Sequence, residues 1–210
     1  PATGSMVEAT AAARDDVTRL IAHWDDDPAG RLLAMNVDLD EPLASRRREL
    51  VRIVEAIGPL EPDDAPITSL SPAQCSWWLR GPGGRVRVEI RLSPELPPRV
   101  QTIAVTAVPE PAAVHRRIAD LVATRLGRDD PRWPGDVPLE PPLSAADLTR
   151  LLRVAAAWAG PSLVASVVAG DGQREATFRL DGERADLQLA ITADPATGTV
   201  AGLTLTPTPA

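Results

Sequence analysis

The chain has 210 residues, 44% of them hydrophobic, and a formal net charge of −7 at pH 7. It contains no lysine, which excludes a Walker P-loop lysine, a Schiff-base lysine and the nucleophile pair of a serine hydrolase of the SxxK type. The acidic balance, the absence of tyrosine and the single phenylalanine argue against nucleic-acid binding, which needs a basic footprint and stacking platforms.

The N-terminal region is predicted to have two parts. Residues 1–6 have the composition of a cloning remnant ahead of a native start at Met6, and residues 7–36 form a helical lead. No signal-peptide pattern follows Met6, and no apolar run is long enough to cross a membrane. The single cysteine, Cys75, excludes an internal disulfide and is compatible with a reducing compartment. We therefore expect a cytoplasmic protein with no membrane partner.

The helical lead is predicted to contain one helix over residues 8–24. Its apolar face has helical spacing and consists of Val17, Leu20, Ile21 and Trp24. Three consecutive carboxylates, Asp25–Asp27, follow it and invite a metal interpretation. The ligand spacing and closing glutamate of a calcium loop are missing, so a solvated turn is favoured. We expect neither a metal nor another cofactor.

The first structural unit is predicted to span residues 37–127. Its first residues, VDLDEPL, continue the alternating segment MNVDLDEPL, for which we expect an extended strand-like conformation. A helix over residues 44–57 follows, with Ser45 as its N-cap and glycine and proline as its stop. A trailing helix over residues 111–126 ends the unit. His115 is one step off the apolar stripe of that helix, so we expect it on the surface, like His23.

The centre of this unit is predicted to be a three-stranded antiparallel meander over residues 75–108. Its second strand alternates charged residues with apolar ones, namely Val86, Val88, Ile90 and Leu92. This period of two is typical of a half-buried strand. The glycine-rich turn Gly81–Gly84 joins it to the preceding strand. Pairing Arg80 with Arg85 across the turn places the apolar residues of both strands on one face.

The rest of the chain is predicted to repeat this unit. Residues 128–142 are rich in proline and form a linker docked through Trp133. The second unit, residues 143–210, begins with a helix capped by Ser144 and burying Trp158. At a shift of 101 residues its meander aligns with the first without a gap over 21 residues. We predict an α+β fold made by tandem duplication of a helix and a three-stranded meander. The alternative is two ordinary α+β segments of similar length.

The outward face of the first meander is the candidate binding site. It carries one tryptophan and four arginines, namely Trp78, Arg80, Arg85, Arg87 and Arg91. Trp78 is predicted opposite Arg87, close enough for a cation–π contact. Such a patch can hold an anionic ligand or an acidic partner surface, and the second unit does not repeat it. The alternative is a solvated face, or a covered one paired with acids, as is common for antiparallel sheets.

Four runs of the chain carry a resemblance: NVDLDEPLASRRREL, CSWWLRGPGGRVRVEIRLSPELPPRVQTIAVTAVPEP, RWPGDVPL and ATFRLDGERADLQLAITADPATGTVAGLTLTP. They resemble the accessory region attached to some actinobacterial serine hydrolases of the β-lactamase-like class, which carries no catalytic residues. The helix-plus-meander unit is also similar to cystatin-like and ketosteroid-isomerase-like folds. Those folds often enclose an apolar pocket, but isomerases of that type use a buried acid and a tyrosine, and this chain has no tyrosine.

The expected function is therefore that of a non-catalytic binding or accessory module. Its partner would be a hydrolase domain, a second copy of the chain in a homodimer, or a small apolar or anionic ligand. The alternative is a small pocket enzyme of the isomerase or cyclase type. A buried acid facing a cavity would favour the enzyme. A filled core with an exposed patch around Trp78 would favour the module.

Overall fold

The computed structural model describes residues 6–208, which form an α+β fold, as predicted. Its helices are Glu8–Ala22 (α1), Asp26–Leu32 (α2), Met35–Asp40 (α3), Leu43–Ile57 (α4), Ala113–Leu126 (α5) and Ala145–Ala159 (α6). Its strands are Glu61–Pro62 (β1), Thr68–Ser71 (β2), Gln74–Gly81 (β3), Gly84–Leu92 (β4), Val100–Pro109 (β5), Ser162–Gly170 (β6), Glu175–Gly182 (β7), Leu187–Ala193 (β8) and Val200–Pro207 (β9). No helix in this part of the chain is long and apolar enough to span a bilayer. Residues 1–5 of the predicted cloning remnant lie outside the described residues.

The chain divides into two compact units, the first ending at Ala107 and the second beginning at Val108. In the first unit, β3, β4 and β5 are neighbours in an antiparallel sheet, and the short strands β1 and β2 both pair with β3. In the second unit the sheet has the order β6-β7-β8-β9. From α4 the first unit runs helix, two short strands and the three-stranded meander, and from α6 the second unit runs helix, one strand and a three-stranded meander. The duplication that would explain this shared order remains a prediction.

The strands β3 and β4 pair in the predicted register, with Leu79 opposite Val86 and Trp78 opposite Arg87. The tight turn between them packs on the end of α4, where the backbone N–H of Gly83 donates to the carbonyl of Ile57 at 2.7 Å. A Cβ atom on Gly83 would lie 2.6 Å from the carbonyl oxygen of Ala56. This close backbone approach explains why the turn needs glycine at that position.

The extended conformation predicted for MNVDLDEPL is wrong, because Met35–Asp40 is helical. Val37 is buried whereas Leu39 is 75% exposed, although strand alternation would place both on one side. Asp38 accepts a hydrogen bond of 2.8 Å from the backbone N–H of Leu43 at the start of α4. The predicted cap Ser45 is instead inside that helix, whose N-cap residue is Pro42. The side chain of Asp38 thus satisfies a backbone N–H in the first turn of α4, where Ser45 was expected to act.

Two side chains of the second unit differ in burial from the prediction, namely His115 and Trp158. His23, in the first unit, is exposed as predicted. His115 is entirely buried, and its Nε2 lies 2.9 Å from the carbonyl oxygen of Arg174. The helix α5 buries more of its circumference than one apolar stripe, which draws the adjacent histidine into the core. Trp158, expected inside, is 53% exposed. It lies at the last turn of α6, whose buried face runs through Leu148, Leu152, Ala155 and Ala159 instead.

The helix α5 packs against the second sheet and α6, rather than trailing the first unit as we had predicted. The proline-rich residues 128–142 therefore connect α5 to α6 within one unit. Their predicted docking through Trp133 is confirmed, since this residue is 5% exposed. Its backbone N–H donates to Oγ1 of Thr149 at 3.0 Å, which holds the connection against α6.

Candidate binding face on the first sheet

The structure places all five predicted site residues on the outer face of the first sheet. The strand β3 supplies Trp78 and Arg80, and β4 supplies Arg85, Arg87 and Arg91. Because side chains alternate along a strand, their neighbours Leu79, Val86 and Val88 point the other way and are buried. We call these five residues the Trp78 face.

Arg85 is the fixed centre of the Trp78 face. Its Cζ lies 4.3 Å from the centroid of the Trp78 ring. Its Nε and Nη2 donate to the two carboxylate oxygens of Asp63 at 2.8 and 2.9 Å. The cation–π contact is therefore made by Arg85, diagonal to Trp78, and not by the directly opposite Arg87 that we had predicted. The reason is that Asp63 holds the guanidinium of Arg85 beside the indole.

Asp63 follows β1, where its backbone N–H donates to the carbonyl of Trp78 at 3.1 Å. Burial raises the pKa of Asp63, but hydrogen bonds from Arg85 and from the N–H of Ala65, with the charges of Arg85 and Arg80, outweigh it. The pKa of Asp63 is consequently below its ordinary value of 3.8. Asp63 is therefore ionised at neutral pH and compensates the charge of Arg85.

The other arginines are exposed and weakly compensated. Arg80 lies 4.0 Å from a carboxylate oxygen of Asp64, and Arg87 lies 3.4 Å from one of Glu89. The side chains of Arg80 and Arg87 are 54% and 51% exposed, so these pairs contribute little attraction in water. Arg91 is exposed and has no ion pair within residues 6–208. The Trp78 face thus surrounds a partly exposed indole with three accessible guanidinium groups.

The corresponding face of the second sheet is compensated internally. Its arginine, Arg179, makes ion pairs with Asp181 and Asp186, each at 2.9 Å. The matching position to Arg87 is held by Gln188. Of these two faces, therefore, only that of the first sheet carries several accessible positive charges, as the sequence indicated.

The cysteine and the carboxylates of the described residues are the groups to compare with the needs of a nucleophile, a buried acid and a metal site. Burial raises the pKa of the Cys75 thiol to about 11, so this residue carries no thiolate at neutral pH. No aspartate or glutamate among residues 6–208 is buried. Within the same range, no group of three or more histidine, cysteine or acidic side chains could hold a metal ion.

The inner faces of both sheets are packed at their centres. The side chains of Val86, Val88 and Ile90 in the first unit are 0% exposed, as are Phe178 and Leu189 in the second. A residue lining a water-sized void keeps some accessible surface. The space between helix and sheet is therefore filled beside these residues.

The chain matches no protein-family model, and no curated protein is significantly similar to it. The resemblance to the accessory region of β-lactamase-like serine hydrolases therefore remains a prediction, as does the similarity to cystatin-like and ketosteroid-isomerase-like folds.

Proposed function

We propose that the protein is a non-catalytic binding module that holds an acidic protein surface on the Trp78 face. The observation that carries this proposal is a partly exposed indole locked by Arg85 and Asp63 and flanked by three accessible arginines. Tryptophan and arginine are the residues that most often dominate the energy of protein interfaces. An indole that is already fixed also loses little conformational entropy when a partner covers it.

The charge of the whole chain favours a protein over an extended polyanion. A net charge of −7 repels a long anionic polymer, whose charges act on the protein well beyond one face. A compact patch of carboxylates interacts mainly with nearby charges, because the Debye length is about 8–10 Å at physiological ionic strength. The proposed partner is a hydrolase domain or a second copy of the chain, and the proposed compartment, given the single cysteine, is the cytoplasm.

The packing of the core supports the module over a pocket isomerase. An enzyme of that type needs a buried acid beside a cavity. The described residues offer no buried carboxylate, and the side chains at the centres of both inner faces are fully enclosed. The accessible chemistry lies on the outside of the first sheet.

The proposal is tested by titrating the full chain with glutamate-rich synthetic peptides. Isothermal titration calorimetry measures the affinity at low and at moderate salt. We expect the double variant Trp78→Ala, Arg87→Ala to bind at least about tenfold more weakly, as for an interface hot spot. The matched control is Arg179→Ala on the second sheet, which should bind like the unaltered chain. Unchanged binding by the double variant, or no binding by the unaltered chain, would refute the proposal.

Sedimentation of the chain at increasing concentration identifies which partner class applies. Self-association that disappears in the double variant would assign a second copy to the Trp78 face. A chain that stays monomeric while binding acidic peptides would assign a different protein.

A further inference from the structure

A cleft of about 860 Å³ lies between α1, α2 and the loop that joins β4 to β5. One face of each helix lines the cleft, because the lining residues are spaced three or four positions apart. From α1 and its C-terminal end they are Asp16, Arg19, Leu20 and His23, and from α2 they are Pro28, Arg31 and Leu32. The loop adds Pro97, Pro98 and Arg99. The volume is within the range of small-molecule sites, about 300–1,000 Å³. We call this feature the α1–α2 cleft; it shares no residue with the Trp78 face.

The walls of the α1–α2 cleft combine apolar and positive groups. Its apolar lining consists of Leu20, Pro28, Leu32, Pro97 and Pro98. Proline has a fixed φ, which limits the conformations of the backbone at these three positions. Such a surface gains free energy when it covers an apolar body.

The charges at the cleft are only partly compensated. Arg19 is paired with Asp16, and the carboxylate of Asp25 caps α2 by accepting a hydrogen bond from the N–H of Asp27 at 3.1 Å. Arg31 and Arg99 are exposed, and within residues 6–208 neither forms an ion pair. Two guanidinium groups are therefore available to a ligand that enters the cleft.

We propose that the α1–α2 cleft binds a small amphipathic anion. The apolar body of the ligand lies against the leucines and prolines, and its anionic group accepts charge-assisted hydrogen bonds from Arg31 and Arg99. This site takes a small molecule and is independent of the protein surface proposed for the Trp78 face.

The test compares two fluorescent probes that share one aromatic body. The first, 8-anilinonaphthalene-1-sulfonate, carries an anionic group; the second, N-phenyl-1-naphthylamine, lacks it. We expect Arg31→Ala with Arg99→Ala to weaken binding of the sulfonate about tenfold or more, and to change binding of the uncharged probe less than twofold. The variant Arg31→Lys, Arg99→Lys should retain most of the sulfonate affinity, because it keeps both charges. Decanoate should displace the sulfonate at lower concentration than decanol.

The control variant is Arg52→Ala with Arg128→Ala, which removes two exposed arginines that lie outside both the α1–α2 cleft and the Trp78 face. It should bind both probes like the unaltered chain, with the same circular dichroism spectrum and urea midpoint. If this control loses sulfonate binding while the Arg31 and Arg99 variant keeps it, the anion binds elsewhere and the proposal is overturned. An equal loss of both probes in the Arg31 and Arg99 variant would also overturn it. The peptide titration is unaffected by either result, so the two proposals fail separately.

Discussion

Arg85 contacts both the ring of Trp78 and the carboxylate of Asp63, so one guanidinium orients the indole and compensates a loop charge. The side chains of Arg85 and Asp63 are only 19% and 14% exposed. Removing either partner would leave the other charge partly buried without its counter-charge. This pair therefore belongs to the stability of the first unit as well as to its candidate site.

We expect Asp63→Asn to lower the free energy of unfolding by about 1–2 kcal/mol at pH 7, because it removes charge-assisted hydrogen bonds to Arg85. The pKa of Asp63 is lower in the folded state than its ordinary value of 3.8. The contribution of the carboxylate to the free energy of unfolding is therefore fully present at pH values above 3.8. It is lost as the pH falls through the lower, folded-state value. Urea unfolding of both proteins should show a difference at pH 7 that shrinks toward pH 3.

The matched control is Asp64→Asn. Asp64 is 96% exposed and 4.0 Å from Arg80, so its loss should change the free energy of unfolding by less than about 0.5 kcal/mol. A destabilisation by Asp63→Asn that stays as large at pH 3 as at pH 7 would show that the carboxylate charge is not its source.

Strand periodicity was enough to predict the common face of the five site residues, because side chains alternate and the turn between β3 and β4 is tight. It could not predict the partner of Arg85. Asp63 is 22 residues away in sequence, in a loop whose path no periodic pattern describes. The burial of His115 escaped prediction for a related reason, because its partner is a backbone carbonyl, that of Arg174, which has no signature in the sequence.

At the scale of secondary-structure elements, the C-terminal ends of α4 and α6 were better predicted than the short helix α3. Gly58 and Gly160 follow α4 and α6 with φ of +89° and +72°, in the region that glycine adopts most readily. The six-residue helix α3 has no comparable signal. Its Val37 and Leu39 alternate as they would in a strand, and the bond from Leu43 to Asp38 is visible only in the structure.

Two glycine substitutions should have opposite effects on stability. A Cβ atom on Gly58 would lie 2.9 Å from Cδ of Pro82, whereas one on Gly30 would have no atom within 4 Å. We expect Gly58→Ala to lower the free energy of unfolding by about 1–2 kcal/mol, because of its positive φ and this contact. Gly30→Ala, inside α2, should raise it by about 0.5–1 kcal/mol through helix propensity. Thermal and urea unfolding measure both; a change of the same sign in the two variants would contradict this account.

At the scale of the whole molecule, composition predicted the proline-rich connection between α5 and α6. It did not predict that α5 belongs to the second unit. Residues 128–142 lack regular structure apart from an isolated bridge between Leu139 and Val200. A segment of this composition can separate two units or cross the surface of one. The burial of Trp133 and the packing of α5 show the second arrangement. Such packing depends on long-range contacts, which local composition does not encode.

The unit boundary can be tested by comparing two fragments, residues 108–210 and residues 128–210, which differ by α5. This helix buries four large aliphatic side chains, Val114, Ile118, Val122 and Leu126. Each contributes about 1.5–3 kcal/mol, so their combined loss is comparable with the whole stability of a small domain, about 5–15 kcal/mol. We expect the longer fragment to unfold cooperatively in urea and the shorter one to lack a cooperative transition by circular dichroism. If both fragments unfold cooperatively with similar midpoints, α5 is not part of the second core.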